Sequence, residues 1–173
     1  MTFKSEQAAF WAGDIGTEYI PRNQGDTLLA SRLDFFGKTL NQARSIRSRI
    51  KFGEVIPPAN VHHRSILDFS PASQWDLTLI KGVLIHINPE VLPQVYDKLV
   101  ASTSRCLMLA EYYNPAPVAI PYRGRSDRLF KRDFAGEIMD RHPQLQLVDY
   151  GFAYRRDPNF PQDDITWFLM EKR

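Results

Sequence analysis

The sequence predicts an α/β fold whose sheet is mostly parallel, carries helices on both faces and ends in an antiparallel hairpin. Two near-continuous apolar runs, at residues 75–80 and 105–112, are typical of strands that are covered on both faces. Two further strands are predicted at residues 145–154 and 164–171. The segment between them is a short turn rich in Asp, Pro and Asn, so these two strands should pair antiparallel.

Two helices complete the predicted order β-α-β-α-β-β from residue 75 onward. The first begins at Asn88, whose side chain can cap it, and Pro89 suits the first helical position, where no N–H donor is needed. It runs to about residue 102, with Val91, Leu92, Val95 and Leu99 on one face. A loop containing Pro, Gly and Arg covers residues 114–128, and the second helix is predicted at residues 130–141.

The first third of the chain is predicted to be helical and then to form short strands. A cap at Asp26 opens an amphipathic helix to about Ala43, in which apolar residues recur at helical spacing. Short strands are predicted at residues 50–53 and 61–63. Pro57-Pro58 excludes regular structure between them.

Composition narrows the class of protein. The chain has 173 residues and a net charge of +2, and no block of like charges runs along it, so a nucleic-acid partner is not indicated. The lone cysteine, Cys106, lies in an apolar strand and is expected to be a buried, inert thiol. No signal-length or membrane-spanning apolar run is present, so a soluble cytoplasmic protein is expected.

Several long blocks of the chain resemble one methyltransferase family. They are FWAGDIGTEYIPRN at 10–23, SILDFSP at 65–71, KGVLIHINPE at 81–90, AEYYNPAPVAIPYRG at 110–124, LFKRDFAGE at 129–137 and DYGFAYRRDPNFPQDDITWFLMEKR at 149–173. In these blocks the chain resembles the pseudaminic-acid-biosynthesis-associated methylases, a bacterial family linked to nonulosonic sugar pathways. The resemblance implies a class I S-adenosylmethionine (SAM)-dependent methyltransferase with a Rossmann-like sheet.

The family's glycine-rich cofactor loop has no counterpart here. Only residues 54–74 separate Gly53 from the strand that opens at Trp75, whereas a βαβ unit needs about 30 residues. At least one strand and its helices are therefore missing from this pattern. We expect one domain over residues 1–173, with an N-terminal helical lid and helix in residues 1–45 and a shortened α/β sheet in residues 49–173.

The resemblance implies a set of cofactor-binding residues. Trp11, Tyr19 and Arg22 match a lid over the cofactor; the alternative for Trp11 and Tyr19 is that they staple a helix to the core. Asp68 matches an acid that meets the adenine amino group, or is simply the cap of a turn. The remaining members of the set are Gly53, at the end of the first strand, and Lys81 and Gly82, after the strand at 75–80.

Two residues are candidate catalytic bases. His86 follows a strand at the carboxyl edge, where ligands bind in open α/β sheets, but it is also readable as a satisfied histidine near the sheet edge. Glu111 ends the strand at 105–112, where a carboxylate could accept a proton or hold a sugar hydroxyl. The alternative for Glu111 is an ordinary strand end.

Aromatic and basic residues near the same edge are candidate substrate ligands. Phenols and an amide at a strand end can hold hydroxyl groups, and arginine and lysine can meet an acidic sugar or a nucleotide phosphate. The alternatives are an ordinary aromatic strand end and scattered surface charge. The predicted substrate ligands are Tyr112, Tyr113, Asn114, Arg123, Lys131 and Arg132.

His62-His63 lacks a third ligand at suitable spacing, so no metal site is expected.

Two functions remain open on the sequence. The first is a SAM-dependent methyltransferase acting on a sugar or nucleotide sugar. The second is a methyltransferase remnant that has lost cofactor binding and serves as a binding or scaffold protein. The missing strands would leave an exposed sheet edge, which favours a homodimer or pairing with a partner.

Overall fold

The computed structural model describes residues 65–173, which form six strands and two α-helices. A short 3-10 helix at Leu84–His86 and a 3-10 turn at Pro89–Val91 precede the first α-helix. The strands are β1 (Trp75–Lys81), β2 (Thr103–Glu111), β3 (Val118–Ala119), β4 (Phe130–Lys131), β5 (Leu145–Ala153) and β6 (Ile165–Lys172), and the helices are α1 (Leu92–Ser102) and α2 (Phe134–Arg141).

Strands β1 and β2 lie side by side in the same direction, as the sequence predicts. Ile80 is opposite Leu109, and Lys81 is opposite Ala110. The connection passes through α1, as a parallel pair requires. The predicted cap is also confirmed, since the backbone N–H of Glu90 donates a 3.0 Å hydrogen bond to the side-chain oxygen of Asn88.

The main sheet is mixed, with the strand order β1-β2-β6-β5. Strand β6 runs antiparallel to both of its neighbours, β2 and β5, so β1, β2 and β5 share one direction and β6 alone is reversed. The predicted C-terminal antiparallel pair is therefore confirmed. The predicted parallel character holds for the strand directions, whereas within residues 65–173 only β1 and β2 form a parallel hydrogen-bonded pair.

The larger core lies between the sheet and the two α-helices. Leu107 and Leu109 of β2 point into it, whereas Cys106 and Met108 point to the opposite face, because successive strand residues alternate. Both α-helices pack on the first of these faces, so the part of the chain described here shows helices on one face only. The helical residues of this core are Leu92, Val95, Tyr96, Leu99, Val100, Phe134, Ala135 and Ile138.

The second helix begins later than the sequence pattern indicates. Residues 130–131 form β4 and pair with β3, and α2 starts at Phe134. The reason is local: the side chain of Asp133 accepts a 2.9 Å hydrogen bond from the N–H of Gly136, which places the N-cap at Asp133. The expectation of a helix from residue 130 is wrong by one turn.

Cys106 is buried, as expected. Its side chain lies on the sheet face opposite the helices, with 3% of its surface exposed. Burial raises the pKa of the thiol, which keeps it protonated and unreactive near neutral pH.

The predicted elements before residue 65 lie outside the described residues. These are the helices of residues 1–45, the short strands at 50–53 and 61–63, and the region after Gly53. Within residues 65–173, no helix is both long enough and apolar enough to cross a bilayer.

Candidate functional site

The carboxyl ends of β1 and β2 meet at one edge of the sheet, which we call the cleft edge (residues 81–86 and 111–114). The N–H of Gly82 donates a 2.9 Å hydrogen bond to the carbonyl of Ala110 and extends the parallel ladder by one residue. Gly82 then turns the chain with φ +63°, in the left-handed region that favours glycine. The predicted residues Lys81, Gly82 and Glu111 are thus neighbours.

Glu111 binds the turn that follows β1. Its Oε1 accepts hydrogen bonds from the N–H of Val83, at 2.8 Å, and from the N–H of Leu84, at 3.0 Å. The first N–H groups of a helix have no partner within it, and here they begin the 3-10 helix Leu84–His86. The side chain of Glu111 therefore caps the start of this 3-10 helix from the neighbouring strand.

The carboxyl group of Glu111 titrates near neutrality. Only 2% of the residue surface is exposed, and burial raises its pKa to about 7. The N–H groups of Leu84, Val83 and Ile85 and the charge of Lys81 act in the opposite direction, but they do not offset burial. Its second oxygen, Oε2, is buried and meets no hydrogen-bond partner among residues 65–173.

His86 lies at the end of the same 3-10 helix and is held by a following loop. Its Nδ1 is 3.2 Å from the carbonyl oxygen of Arg128, and the tautomer with a proton on Nδ1 lets it donate to that oxygen. Burial lowers the pKa of His86, and the bond to Arg128 opposes this only in part. The imidazole is therefore neutral near pH 7 and carries its lone pair on Nε2.

The loop over His86 is a hairpin arm, residues 118–131, built from β3 and β4. At its tip, Tyr122 and Arg125 exchange backbone hydrogen bonds of 2.7 and 3.0 Å. The two residues between them, Arg123 and Gly124, have φ of 50° and 76°, which is the geometry of a type I′ turn. The ring of Tyr122 lies 6.1 Å from that of His86 and 5.6 Å from the Arg123 guanidinium carbon.

A polar network lies behind the cleft edge, between α1 and α2. The hydroxyl of Tyr96 donates a 2.7 Å hydrogen bond to Oε2 of Glu137, and Nε of Arg132 donates a 2.6 Å bond to Oε1 of the same carboxylate. Burial and the neighbouring Glu137 raise the pKa of Tyr96, so the hydroxyl stays protonated. The predicted substrate ligand Arg132 is thus engaged in joining β4 to α2.

The other predicted substrate ligands spread along the rim. The ammonium group of Lys131 lies 5.2 Å from the ring centre of Tyr112, within the range of a cation–π interaction. Tyr113 is exposed, and its ring lies 5.9 Å from Phe168 of β6. The side-chain amide of Asn114 donates to the carbonyl of Ala116 and shapes the loop that leads away from β2.

Asp68 lies apart from this group. It is exposed in a turn where its N–H and that of Phe69 donate to the carbonyl of Ser65. The carbonyl of Phe69 in turn accepts a hydrogen bond from Lys98, one turn before the end of α1. This places the turn beside the helix rather than at residues 81–86. Trp11, Tyr19, Arg22 and Gly53 lie outside the described residues.

Sequence reasoning missed three residues that shape this region. Arg128 has a buried guanidinium, whose Nη1 donates a 2.9 Å bond to Asp127, and its carbonyl holds His86. No pattern in the sequence marks it among the arginines of its loop. Tyr96 and Glu137 did leave a signal, because a phenol on the apolar face of a helix needs a hydrogen-bond partner.

Comparison with solved structures finds distant likenesses. DhpI in complex with S-adenosylhomocysteine (SAH) is 14% identical, with a TM-score of 0.40 over 64% of this chain and 53% of that chain. The SAM-dependent methyltransferase LMAJ004091AAA of Leishmania major is 12% identical, with a TM-score of 0.45 over 64% of this chain and 43% of that one. DhpI with SAM and HEP is 12% identical, with a TM-score of 0.41 over 65% of this chain and 56% of that chain.

The chain thus spans about half the length of the solved structures that it matches. No protein-family model matches the sequence, and no curated protein matches it either.

Proposed function

We propose that this chain is a SAM-dependent methyltransferase of the class I fold, associated with pseudaminic acid or related nonulosonic sugars. The observation that carries the proposal is the strand order β1-β2-β6-β5 with only β6 reversed. A last strand that turns back antiparallel into an otherwise parallel sheet is what the resemblance to class I methyltransferases implies. It brings the ends of β1 and β2 together, where ligands of open α/β sheets bind.

The residues at the cleft edge fit one end of the cofactor, the methionine end. Gly82 has a positive φ, and no atom of residues 65–173 lies within 4 Å of the position that a Cβ would occupy, so a ligand can approach the backbone closely there. Lys81 and Gly82 would hold the methionine end of SAM, and Asp68 would serve the adenine only if the turn at 65–69 moved toward the edge. When bound, SAM supplies an electrophilic methyl group on a sulfonium.

The chain itself provides a base and orienting groups. His86 is neutral, and in the tautomer that donates from Nδ1 to the Arg128 carbonyl its Nε2 carries the lone pair that would accept a proton from an acceptor hydroxyl or amine. Arg123 and Lys131 would orient an acidic sugar or a phosphate. Most of the rate enhancement would come from holding acceptor and methyl group in line.

A specific observation keeps the second function open. Residues 54–74 are too few for the glycine-loop unit, and β1 is an edge strand of the sheet formed by residues 65–173. A shallow cavity runs along that edge, lined by Ile66, Phe69, Trp75, Leu77, Thr78 and Leu79 among others. A cofactor-free scaffold protein would pair this edge with a second copy or with a partner strand.

Calorimetric titration with SAH separates the two functions. A dissociation constant in the micromolar range supports the methyltransferase, and no heat up to millimolar SAH rejects it in favour of the scaffold protein. Adenosine is the control ligand, since it lacks the methionine end that Lys81 and Gly82 are proposed to hold. If SAH binds, transfer of a labelled methyl group to nonulosonic acids but not to neutral hexoses supports the sugar assignment, and the reverse preference overturns it.

A further inference from the structure

The feature that the proposed chemistry leaves unexplained is the buried carboxyl of Glu111. Burying a carboxylate costs free energy, and here burial outweighs three backbone N–H groups and a lysine. An isosteric amide would accept from the same N–H groups without the charge. The acid therefore calls for an explanation other than filling space.

Its location points to the turn rather than to a substrate. Oε1 is engaged by the N–H groups of Val83 and Leu84, and the residue is 2% exposed beneath them. A group so covered does not touch a ligand in the cleft. What it does touch is the start of the 3-10 helix that carries His86 and follows Gly82.

We propose that Glu111 is the positioning residue of the cleft edge: it anchors residues 82–86 from beneath, and it does not contact the substrate. Loss of this anchor frees the turn, so that Gly82 and His86 no longer keep their places at the ends of β1 and β2. The consequence for ligand binding rests on the function proposed above. The anchoring of the turn does not, and it is measurable without any ligand.

The charged and titratable groups around Glu111 come from each neighbouring element. Lys81 lies on β1, and its charge favours the carboxylate. The charge of Glu111 contributes to raising the pKa of Tyr96 of α1. The Tyr96 hydroxyl donates a hydrogen bond to Glu137 of α2, and Glu137 pairs with Arg132. His86 is neutral near pH 7 and adds no charge from the 3-10 helix.

These surroundings fix the sign of the pH dependence. The pKa of Glu111 is higher when the turn covers it than when water reaches it, so protonation favours the closed turn. Opening that admits water to the carboxyl should become easier as pH rises through about 7. A glutamine at this position cannot titrate, so its turn should open equally at all of these pH values.

Amide hydrogen exchange at Val83 and Leu84 tests the anchor directly. In Glu111→Ala we expect protection at both amides to fall about 10-fold or more, since both hydrogen bonds to Oε1 are lost. In Glu111→Gln protection should stay within about 3-fold of the wild type at acid pH. The matched control is Glu90→Ala, which removes an exposed carboxylate close in sequence and should leave both amides unchanged.

The wild type and Glu111→Gln give a second measurement if Glu111→Ala does not fold. After correction for intrinsic exchange, protection at Val83 and Leu84 should decline from about pH 5.5 to about pH 8 in the wild type and not in Glu111→Gln. Equal pH profiles in the two proteins would overturn the proposal. So would unchanged protection in Glu111→Ala.

Ligand binding and turnover separate positioning from catalysis. If Glu111 positions the turn, Glu111→Gln keeps SAH affinity and kcat within about 5-fold, and Glu111→Ala loses both. If it is the base, Glu111→Gln keeps SAH affinity but loses kcat by about 100-fold or more, which contradicts the proposal. If the wild type binds no SAH, the proposed function fails, and hydrogen exchange still decides the role of Glu111.

Discussion

The indole ring of Trp167 lies over Gly151, its partner on the neighbouring strand. The two residues are paired across β5 and β6, and Trp167 also lies opposite Ala110 of β2. A Cβ added to Gly151 would come within 2.7 Å of the ring atom Cζ2 and 2.9 Å of Nε1. The indole ring thus occupies the space on this face of the sheet that a side chain at residue 151 would need.

We predict that Gly151→Ala destabilises the protein through this ring. The methyl group has to displace the indole or shift a strand, which costs about 1–3 kcal/mol in the free energy of unfolding, measured with urea. In a Trp167→Leu background the same substitution should cost less than about 0.5 kcal/mol, because alanine is otherwise at least as good as glycine in a strand. Equal costs in the two backgrounds would contradict the prediction.

We predict that Tyr96→Phe destabilises the pairing of α1 with α2. The substitution removes the 2.7 Å hydrogen bond to Glu137 but keeps the ring in the core, so the free energy of unfolding should fall by about 1–2 kcal/mol. Tyr154→Phe is the matched control, because Tyr154 is 48% exposed and should cost less than about 0.5 kcal/mol. The measurement is urea unfolding of both variants. Similar losses of unfolding free energy in the two would count against a structural role for the Tyr96 hydroxyl.

The four strands of the main sheet were predictable because their apolar runs and their short final turn leave few alternatives, whereas β3 and β4 fall in segments predicted as a loop and as the start of a helix. Ile80 and Leu109 lie in parallel register, and β5 pairs with β6, as the patterns indicate. The start of α2 was not predictable from periodicity, since Phe130 continues the apolar pattern. Only the capping bond from Gly136 to Asp133 places the helix at Phe134.

The candidate site was predictable where a strand end fixes a residue and not where a loop does. Gly82 follows β1 and Glu111 is the last residue of β2, its parallel neighbour, so their proximity follows from the topology. The bond from His86 to the Arg128 carbonyl depends on the path of the hairpin arm, which no local pattern specifies. Burial of Glu111 was likewise hidden, because a strand-end acid is usually exposed.

We predict that Glu111 makes the stability of the protein depend on pH. Its folded pKa of about 7 lies above the ordinary value of 4.5, so its contribution is fully present below about pH 4.5 and is lost as pH rises through about 7. The difference in unfolding free energy between the wild type and Glu111→Gln should therefore shift by about 2–3 kcal/mol between about pH 4.5 and about pH 8. The wild type should become less stable relative to Glu111→Gln as pH rises.

Other groups titrate over that range on unfolding, including His86, whose pKa in the folded protein is lowered by burial. They titrate alike in both proteins, so the difference isolates residue 111. A constant difference across the range, from urea unfolding at each pH, would show that Glu111 is not buried as an acid.

We predict that two glycine substitutions of similar strain have different effects on ligand binding. Gly82 and Gly124 have φ of +63° and +76°, and in the described part of the chain no atom lies within 4 Å of the position of a Cβ at either residue. Alanine at either position adopts a strained left-handed conformation, so each should lower the free energy of unfolding by about 1 kcal/mol. Only Gly82 lies at the end of β1, whereas Gly124 lies at the tip of the hairpin arm.

Gly82→Ala should therefore weaken SAH binding by about 10-fold or more, because its Cβ enters the space in which the ligand approaches the backbone, and Gly124→Ala should leave the affinity within about 2-fold. Calorimetry with both variants and urea unfolding of each supply the two measurements. If Gly124→Ala weakens binding as much as Gly82→Ala does, the effect comes from general loosening, and the cleft edge is not where SAH binds. If Gly82→Ala binds as the wild type does while losing stability, the turn after β1 shapes the fold alone.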